Sequence, residues 1–303
     1  MKKILILSGG YSKEREISIK TGNEVAKALK KKYKVKILDP KGEFINQIRR
    51  FKPDVVFNAL HGRYGEDGYI QAILEAAKVK YTHSGVLSSY IAMDKEISKK
   101  IFLKNKIFTP KYIKYKFNLR NLPKKKILLK VKKKLKFPAV IKPINEGSSV
   151  DVYICNEKNF IKNLKKLKQY REVLIEEFIG GREIQVAIMG NKILGAIELK
   201  PKRKFYDYQA KYNRKAKTEH IIPVKIKRNK LNEVLQIAFK AHKIIGCRGV
   251  TRSDFKFYNE KFYLLEINTQ PGMTKLSLVP EIAAHRGISF IELIEWILRD
   301  ASK

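Results

Sequence analysis

The fold of this chain is decided by Arg252-Ser253-Asp254-Phe255 and by Leu265-Glu266-Ile267-Asn268-Thr269. Each segment lies at the end of, or within, an apolar run typical of a β-strand, over 249–258 and 262–267. Between the two runs, Asn259-Glu260 is typical of a hairpin turn. The pattern therefore predicts two antiparallel strands joined by a tight turn.

Three oxygen-bearing side chains come together if these strands pair. Glu266 and Asn268 are two residues apart, so they point to the same face of their strand, and Asp254 lies on the neighbouring strand. Mg²⁺ takes hard oxygen ligands and is usually held by a few carboxylates plus substrate phosphates. The alternative is a half-exposed hairpin with polar residues on its solvent face. Spacing alone leaves both interpretations open.

Length and composition indicate a globular protein of two or three subdomains. The chain has 303 residues, of which 44% are hydrophobic and 10% aromatic, as in ordinary soluble proteins. The apolar run at the start stops at Ser8-Gly9-Gly10, which is too short for a signal peptide. No stretch approaches the roughly 20 apolar residues of a membrane span. Cys155 and Cys247 form neither a disulfide framework nor a metal-ligand spacing. We expect a cytoplasmic protein.

The net charge of +37 raises the possibility of nucleic-acid binding. Only 14 of the 66 basic residues are Arg, the residue favoured for bidentate recognition of bases and phosphates. The lysines are spread along the whole chain, mostly on the polar side of helical patterns. We therefore expect a lysine-rich surface, with no specific nucleic-acid partner and no membrane partner.

The first ninety residues alternate between strands and helices. This rhythm predicts a parallel sheet with helices on its faces, and the loops 9–12 and 61–68 should line a site at the ends of the strands. Ser12 is expected to cap the first helix. The predicted strands are 3–7, 33–38 and 54–59, and the predicted helices are 14–31, 43–51 and 68–77.

Two further units follow. The first contains a helix over 95–104, a strand over 139–142, the loop 143–149, a helix over 157–167 and a strand over 173–177. The second begins near residue 180. It contains strands over 183–189 and 192–198, a helix over 231–245, the hairpin and two short C-terminal helices.

Three loops suggest chemistry, each weakly by itself. Lys142 ends a strand before Gly147-Ser148-Ser149, where backbone N–H groups can hold phosphate oxygens, although this is also ordinary loop composition. The segment 176–179, followed by Glu183, can offer groups to adenine and ribose, or is only a strand and a turn. The aromatic segment 205–212 suggests a lid that excludes water, or a surface hairpin.

A set of motifs is spread along the chain in a fixed order. The motifs are Gly9-Gly10, Ser12, Glu14-Arg15-Glu16-Ile17-Ser18, Ala59-Leu60-His61-Gly62, Gly65-Glu66-Asp67-Gly68, Met93-Asp94-Lys95, Lys142-Pro143, Glu146-Gly147-Ser148-Ser149, Phe205-Tyr206-Asp207-Tyr208, Ala210-Lys211-Tyr212, Arg252, Asp254-Phe255 and Glu266 to Thr274. Together, in this order and spacing, they resemble the D-alanine–D-alanine ligases of the ATP-grasp superfamily over essentially the whole chain. The resemblance implies an α/β and α+β fold, in which an N-terminal parallel-sheet (pre-ATP-grasp) domain precedes a two-lobed ATP-grasp fold. The implied domains are 1–93, 94–179 and 180–303.

The resemblance also implies the reaction. ATP phosphorylates the carboxylate of one D-alanine, because a carboxylate is a poor electrophile without a leaving group. The amine of a second D-alanine then displaces phosphate, and the D-alanyl-D-alanine formed supplies peptidoglycan synthesis. Two Mg²⁺ ions, replaceable by Mn²⁺, would be held by Glu266, Asp254 and Asn268. The family also suggests a homodimer.

The family's functional residues carry over to matching positions here. Arg252 and the Gly272 N–H would stabilise the tetrahedral oxyanion. Glu14 and His61 would lie at the first D-alanine, and Ser277 and Leu278 at the second. Ser148, Tyr212 and Glu14 would orient the lid and the second substrate. The implied ATP-binding residues are Lys95, Lys142, Ser149, Glu176, Glu177, Phe178, Ile179, Glu183 and Lys211.

The chain departs from the family in two places. Asp151 stands where the family usually has glycine; Asp tolerates left-handed geometry but brings negative charge near the phosphate loop. The basic segment 118–136 matches no motif. Two alternatives stay open: another carboxylate–amine ligase, and a basic nucleic-acid-binding protein on a degenerate ligase scaffold. Tyr212 favours a dipeptide product over D-alanyl-D-lactate.

Overall fold

The first sheet is parallel, as the strand–helix rhythm predicts. The computed structural model describes residues 1–117, 125–147, 150–201 and 218–301. The sheet has the order β2-β1-β3, and its strands are β1 (Lys3–Leu7), β2 (Lys34–Leu38) and β3 (Val55–Asn58). Its helices are α1 (Arg15–Leu29), α2 (Phe44–Phe51), α3 (Tyr69–Ala76) and α4 (Val86–Met93).

The second sheet is antiparallel, with the order β4-β7-β5-β6. The helices Lys125–Lys134 (α6) and Phe160–Lys166 (α7) contribute Val131 and Phe160 to one buried core against the sheet. The part of the basic segment that lies in α6 is therefore amphipathic, with lysines around an apolar stripe. The strands are β4 (Tyr112–Lys116), β5 (Ala139–Pro143), β6 (Tyr153–Cys155) and β7 (Glu172–Glu177), and the helices are α5 (Lys95–Lys104), α6 (Lys125–Lys134) and α7 (Phe160–Lys166).

The third sheet is also antiparallel, with the order β10-β9-β8-β11-β12. The helix Arg228–Ile244 packs on one face of the sheet, and residues of the other face belong to the core that contains the two C-terminal helices. The strands are β8 (Arg182–Met189), β9 (Lys192–Lys200), β10 (Glu219–Ile221), β11 (Val250–Tyr258) and β12 (Lys261–Asn268), and the helices are α8 (Arg228–Ile244), α9 (Leu278–His285) and α10 (Phe290–Ala301).

The predicted hairpin is present, and it contains a β-bulge. Asn259 and Glu260 form the turn with φ of 47° and 57°, as a type I′ turn requires. Asp254 pairs with Glu266, but the next residue, Phe255, pairs with Leu264. Leu265 is thus an extra residue. After the bulge Ile267 returns to the core under α8, and Glu266 stays on the opposite face.

The last helix packs far from its neighbours in sequence. Leu293 and Ile297 of α10 share a buried core with Ile6 and Phe57 of the N-terminal sheet. One face of that sheet is therefore covered by a helix from the far end of the chain. Within the described ranges, no helix is both long enough and apolar enough to cross a membrane.

Replacing Phe255 by Ala should destabilise the third sheet. The Phe255 ring is fully buried and meets the Phe262 ring edge-on, with centroids 6.4 Å apart. Removal of such a side chain costs about 3–5 kcal/mol of unfolding free energy, to be measured by urea denaturation followed by circular dichroism. Tyr258→Ala, at the exposed end of the same strand, is the control and should change stability little. Equal effects of the two substitutions would contradict this packing.

Candidate active site

The strand pairing brings the predicted metal ligands onto one face. Asp254 lies directly opposite Glu266, and Arg252 lies directly opposite Asn268. Arg252 donates two hydrogen bonds to Asp254, from Nε at 2.7 Å and from Nη2 at 3.0 Å. The Lys95 Nζ lies 3.5 Å from Glu266 Oε2. The face therefore carries two carboxylates and an amide next to two cations.

The donor set fits Mg²⁺. Each Asp254 oxygen accepts one bond from Arg252 and keeps lone-pair capacity for a cation. Gln185, the strand partner of Asp254 on β8, is buried, and its Oε1 has no hydrogen-bond partner among the described residues. Such an open acceptor beside carboxylates suits a hydrated cation. Within the described ranges, no group of three or more His, Cys, Asp or Glu side chains could by itself hold a metal ion, so the predicted ligand set depends on the amide of Asn268.

Two predicted ATP lysines are buried beside this face. Lys95, the first residue of α5, donates from Nζ to the Glu146 carbonyl at 2.5 Å. Lys142, on β5, lies 2.8 Å from Glu176 Oε2. Both side chains are almost fully buried, and buried ammonium groups are retained where they are paired.

A third buried lysine, Lys99, was not predicted. Its Nζ lies 3.0 Å from Glu176 Oε1 and donates to Thr109 Oγ1 at 2.6 Å. The signal was present in the sequence, since Lys99 follows Lys95 by four residues and therefore shares its helix face.

The predicted adenine and ribose residues line one pocket between the second and third sheets. Glu183 on β8 accepts from Lys256 Nζ at 3.0 Å, and Glu177 accepts from the Lys111 N–H at 2.8 Å. The pocket holds about 100 Å³, less than the ~300–1,000 Å³ typical of ligand sites, so we expect a nucleotide to widen it. Its predicted lining residues are Lys95, Lys142, Glu176, Glu177, Phe178, Ile179, Glu183, Asp254 and Glu266.

A larger cavity of about 670 Å³ adjoins this pocket and shares Lys95 and Glu266 with it. The cavity lies between α1, the end of α4 and the hairpin. Its walls include polar groups from the N-terminal and C-terminal parts of the chain. The predicted residues that line it are Glu14, His61, Arg252, Asn268, Gly272, Ser277 and Leu278.

Glu14 lies against Gly62 in the cavity wall. Gly62 has φ +70°, and a Cβ there would lie 2.8 Å from Glu14 Oε2, so a larger residue at this position would displace the Glu14 carboxylate. The expectation that Ser12 caps α1 is wrong, because Glu14 is the N-cap residue. The Ser12 hydroxyl instead donates to the His61 carbonyl at 2.6 Å, which joins the two loops that follow β1 and β3.

His61 is fixed on both sides of its ring. Nε2 lies 3.0 Å from Thr21 Oγ1, and Nδ1 lies 3.1 Å from Glu66 Oε1. Burial raises the pKa of the Glu66 carboxyl, and the contact with His61 opposes that rise. The ring therefore has a fixed orientation at the cavity wall.

The opposite wall is the start of α9. Ser277 is its N-cap residue and Leu278 its first residue. The Ser277 Oγ accepts from the Thr274 N–H at 3.0 Å. A Cβ at residue 272 would lie 3.0 Å from that same Oγ, so Gly272 allows the close turn. A helix N-terminus favours negatively charged groups.

Four predicted site residues, Ser148, Ser149, Lys211 and Tyr212, lie outside the described residues, as does the aromatic segment 205–212. Asp151 has φ +54°, the left-handed geometry that the family's glycine predicts. Its carboxylate lies 3.2 Å from Lys13 Nζ and accepts from the Tyr170 hydroxyl. Partial burial opposes ionisation, but these two contacts lower the pKa of Asp151. The added charge is thus paired locally.

The thiols and two buried histidines supply no reactive group. Burial raises the pKa of Cys155 and raises that of Cys247 to about 12, so both thiols stay protonated at neutral pH. Burial also lowers the pKa of His83 to about 3 and that of His242 to about 4. Both rings are neutral at neutral pH.

Family models match both parts of the chain. The model described as D-ala D-ala ligase C-terminus matches residues 101–299, and the model described as D-ala D-ala ligase N-terminus matches residues 41–84. Among relatives, a D-alanine–D-alanine ligase of Pelagibacter ubique is 70% identical over 302 residues, which cover 99% of this chain and 98% of the relative. That of Zymomonas mobilis is 43% identical, covering 99% and 94%.

Solved structures agree. A D-alanine–D-alanine ligase from Bacillus anthracis complexed with ATP superposes with a TM-score of 0.85 at 31% identity, covering 99% of this chain and 97% of that one. A second structure of the Bacillus anthracis ligase gives a TM-score of 0.87 at 34% identity, with the same coverage. By sequence and by fold, this chain belongs to the D-alanine–D-alanine ligase family.

Proposed function

We propose that this chain joins two D-alanine molecules, at the expense of ATP, into D-alanyl-D-alanine for peptidoglycan synthesis. One observation carries the proposal: the face with Arg252, Asp254, Glu266 and Asn268 lies where a nucleotide pocket meets a cavity large enough for two amino acids. Lys95 and Glu266 belong to both spaces. A phosphoryl group can therefore pass from one space to the other.

Side chains around the nucleotide pocket would hold ATP. Phe178 and Ile179 contact adenine, Glu183 accepts from the ribose, and Lys95 and Lys142 meet the phosphates. Asp254, Glu266 and Asn268 would hold two Mg²⁺ ions, for which Mn²⁺ can substitute. When bound, these ions neutralise phosphate charge during transfer.

The first step makes the D-alanine carboxylate reactive. Glu14 binds the ammonium of the first D-alanine and turns its carboxylate toward the nucleotide. A carboxylate oxygen attacks the γ-phosphorus, and the bond to ADP breaks, which leaves D-alanyl phosphate. Lys95 and Lys142 stabilise the negative charge of the transferred group.

The second step forms the peptide bond. The N-terminus of α9 and Ser277 hold the carboxylate of the second D-alanine, which directs its amine at the acyl carbon. Attack gives a tetrahedral oxyanion, which Arg252 and the Gly272 N–H stabilise. The intermediate then expels phosphate and the attacking amine loses a proton.

We further propose that the chain divides into domains 1–93, 94–179 and 180–303, and that it forms a homodimer. The domain division is supported by the three sheets, each of which lies within one of these ranges. The homodimer is supported by exposed apolar side chains on α3 and α4. These are Tyr69, Leu87 and Tyr90, with 56%, 68% and 49% of their surface exposed.

The purified chain should release phosphate from ATP and Mg²⁺ when D-alanine is added and not when L-alanine is added. The assay is a coupled phosphate measurement, with D-alanyl-D-alanine identified by mass spectrometry. Release with a different amino acid would instead favour another carboxylate–amine ligase. No release with any D-amino acid, together with salt-resistant binding of DNA or RNA, would favour the nucleic-acid alternative.

Replacing Glu266 by Gln should abolish turnover and leave the fold intact. Loss of an outer-shell metal partner already costs about 10–100-fold in activity, so we expect kcat to fall about 100-fold or more. The control is Glu260→Gln at the tip of the same hairpin. A rate near that of the wild type for Glu266→Gln would refute the metal assignment.

Dimerisation should fail when charge is placed on the apolar surface of α4. The wild-type chain should elute at twice its 35.2 kDa mass in size-exclusion chromatography with light scattering. The Leu87→Asp/Tyr90→Asp variant should elute as a monomer. Leu129→Asp, at a similarly exposed position on α6, should stay dimeric. A monomeric wild type would exclude the homodimer.

A further inference from the structure

A chain of four polar side chains runs from the interior to the nucleotide pocket. Thr109 Oγ1 accepts from Lys99 at 2.6 Å. Lys99 Nζ lies 3.0 Å from Glu176 Oε1, and Glu176 Oε2 lies 2.8 Å from Lys142 Nζ. Lys142 and Glu176 line the pocket, whereas Lys99 lies behind them and lines neither of the two spaces of the site.

Lys99 is fully buried, so its charge must serve a purpose inside the protein. Buried ion pairs add little net stability, because an apolar pair of the same volume often holds a fold equally well. Burial lowers the pKa of Lys99 to about 8, and the Glu176 carboxylate opposes this. Burial would raise the pKa of Glu176, but Lys142 and Lys99 together lower it, so the carboxylate stays ionised.

The net charge of Lys99, Glu176 and Lys142 affects the binding of a polyanionic ligand. Their two ammonium groups and one carboxylate leave one net positive charge beside the pocket. Without Lys99, the Glu176 carboxylate would cancel the charge of Lys142 and draw its ammonium away from the ligand. At the short distances of a buried site, such a change acts strongly on phosphate groups.

We propose that Lys99 is a positioning residue for the nucleotide: acting through the Glu176 carboxylate, it keeps the Lys142 ammonium oriented and available to the phosphates. Lys99 does not touch the ligand in this arrangement. The inference rests on the proposed function in one respect only, namely that the pocket binds ATP and its product ADP.

The test is ADP binding to the full chain, measured by calorimetry with Mg²⁺ and without any amino acid. Lys99→Met keeps the length of the side chain and removes its charge. We expect the Kd for ADP to rise about tenfold, which corresponds to ~1.4 kcal/mol. In a Glu176→Gln background, Lys99→Met should raise the Kd for ADP less than about twofold. Lys99 acts through Glu176 in this proposal, and substitutions of coupled residues have non-additive effects.

Two further measurements separate positioning from a general structural role. The KM for D-alanine in Lys99→Met should stay within about twofold of the wild type while the KM for ATP rises by about the tenfold expected for Kd. Lys100→Met, at the exposed neighbouring position, should leave ADP binding unchanged.

Equal losses of ADP affinity in both backgrounds, or unchanged affinity in a folded Lys99→Met variant, would overturn the inference. If Lys99→Met does not fold, Thr109→Val replaces it, because that change removes the hydroxyl that anchors Lys99. Weaker ADP binding is then expected, and unchanged binding would overturn the inference. The binding test contains no amino acid, so its outcome does not depend on the ligation reaction. If the coupling between Lys99 and Glu176 is found but D-alanine does not stimulate turnover, the proposed function is refuted and the role of Lys99 is not.

Discussion

The active site depends on the antiparallel pairing of β11 with β12. That pairing sets Asp254 opposite Glu266 and Arg252 opposite Asn268. Neither strand alone could bring these four side chains together. The bulge at Leu265 is part of the same constraint. A regular strand would alternate strictly after Leu264 and would turn Glu266 into the core beneath α8. The extra residue lets Ile267 fill that core while Glu266 faces the cavity.

The cations of the site are preorganised for a polyanionic ligand, and their ion pairs keep the protein stable when that ligand is absent. Two of the cations are buried and one is half-buried, and each is paired: Lys95 with Glu266, Lys142 with Glu176, and the half-buried Arg252 with Asp254. Each pair keeps its ammonium or guanidinium group satisfied and fixed in place. Phosphates and metal ions can then share these partners, so the groups need little reorganisation at the moment of reaction.

Much of the fold could be predicted from the sequence, because its signals are local. The hairpin, the parallel sheet and the helix Lys95–Lys104 follow from apolar periodicity and turn chemistry. The strand Tyr112–Lys116 and the helix Lys125–Lys134 were missed, since their lysines obscure a narrow apolar stripe. The bulge could not be foreseen, because register depends on both strands together with the core that they cover.

The candidate site, like the fold, could be predicted only in part. The residues proposed to bind metal and phosphate were predicted from motifs, and the structure brings the described ones together. Lys99 was missed because no motif marks it and because lysine is common throughout this chain. Its role depends on burial, and burial is a property of the tertiary structure.

The placement of α10 has a consequence for biosynthesis. The N-terminal sheet shares its core with Leu293 and Ile297, residues that the ribosome adds long after that sheet has left the exit tunnel. Domains generally fold in order during translation, yet here one apolar face of the earliest strands is covered only in part, by Val25 and Leu29 of α1, until α10 is made. A nascent chain of this kind is an expected client of chaperones that shield exposed hydrophobic surface until synthesis is complete.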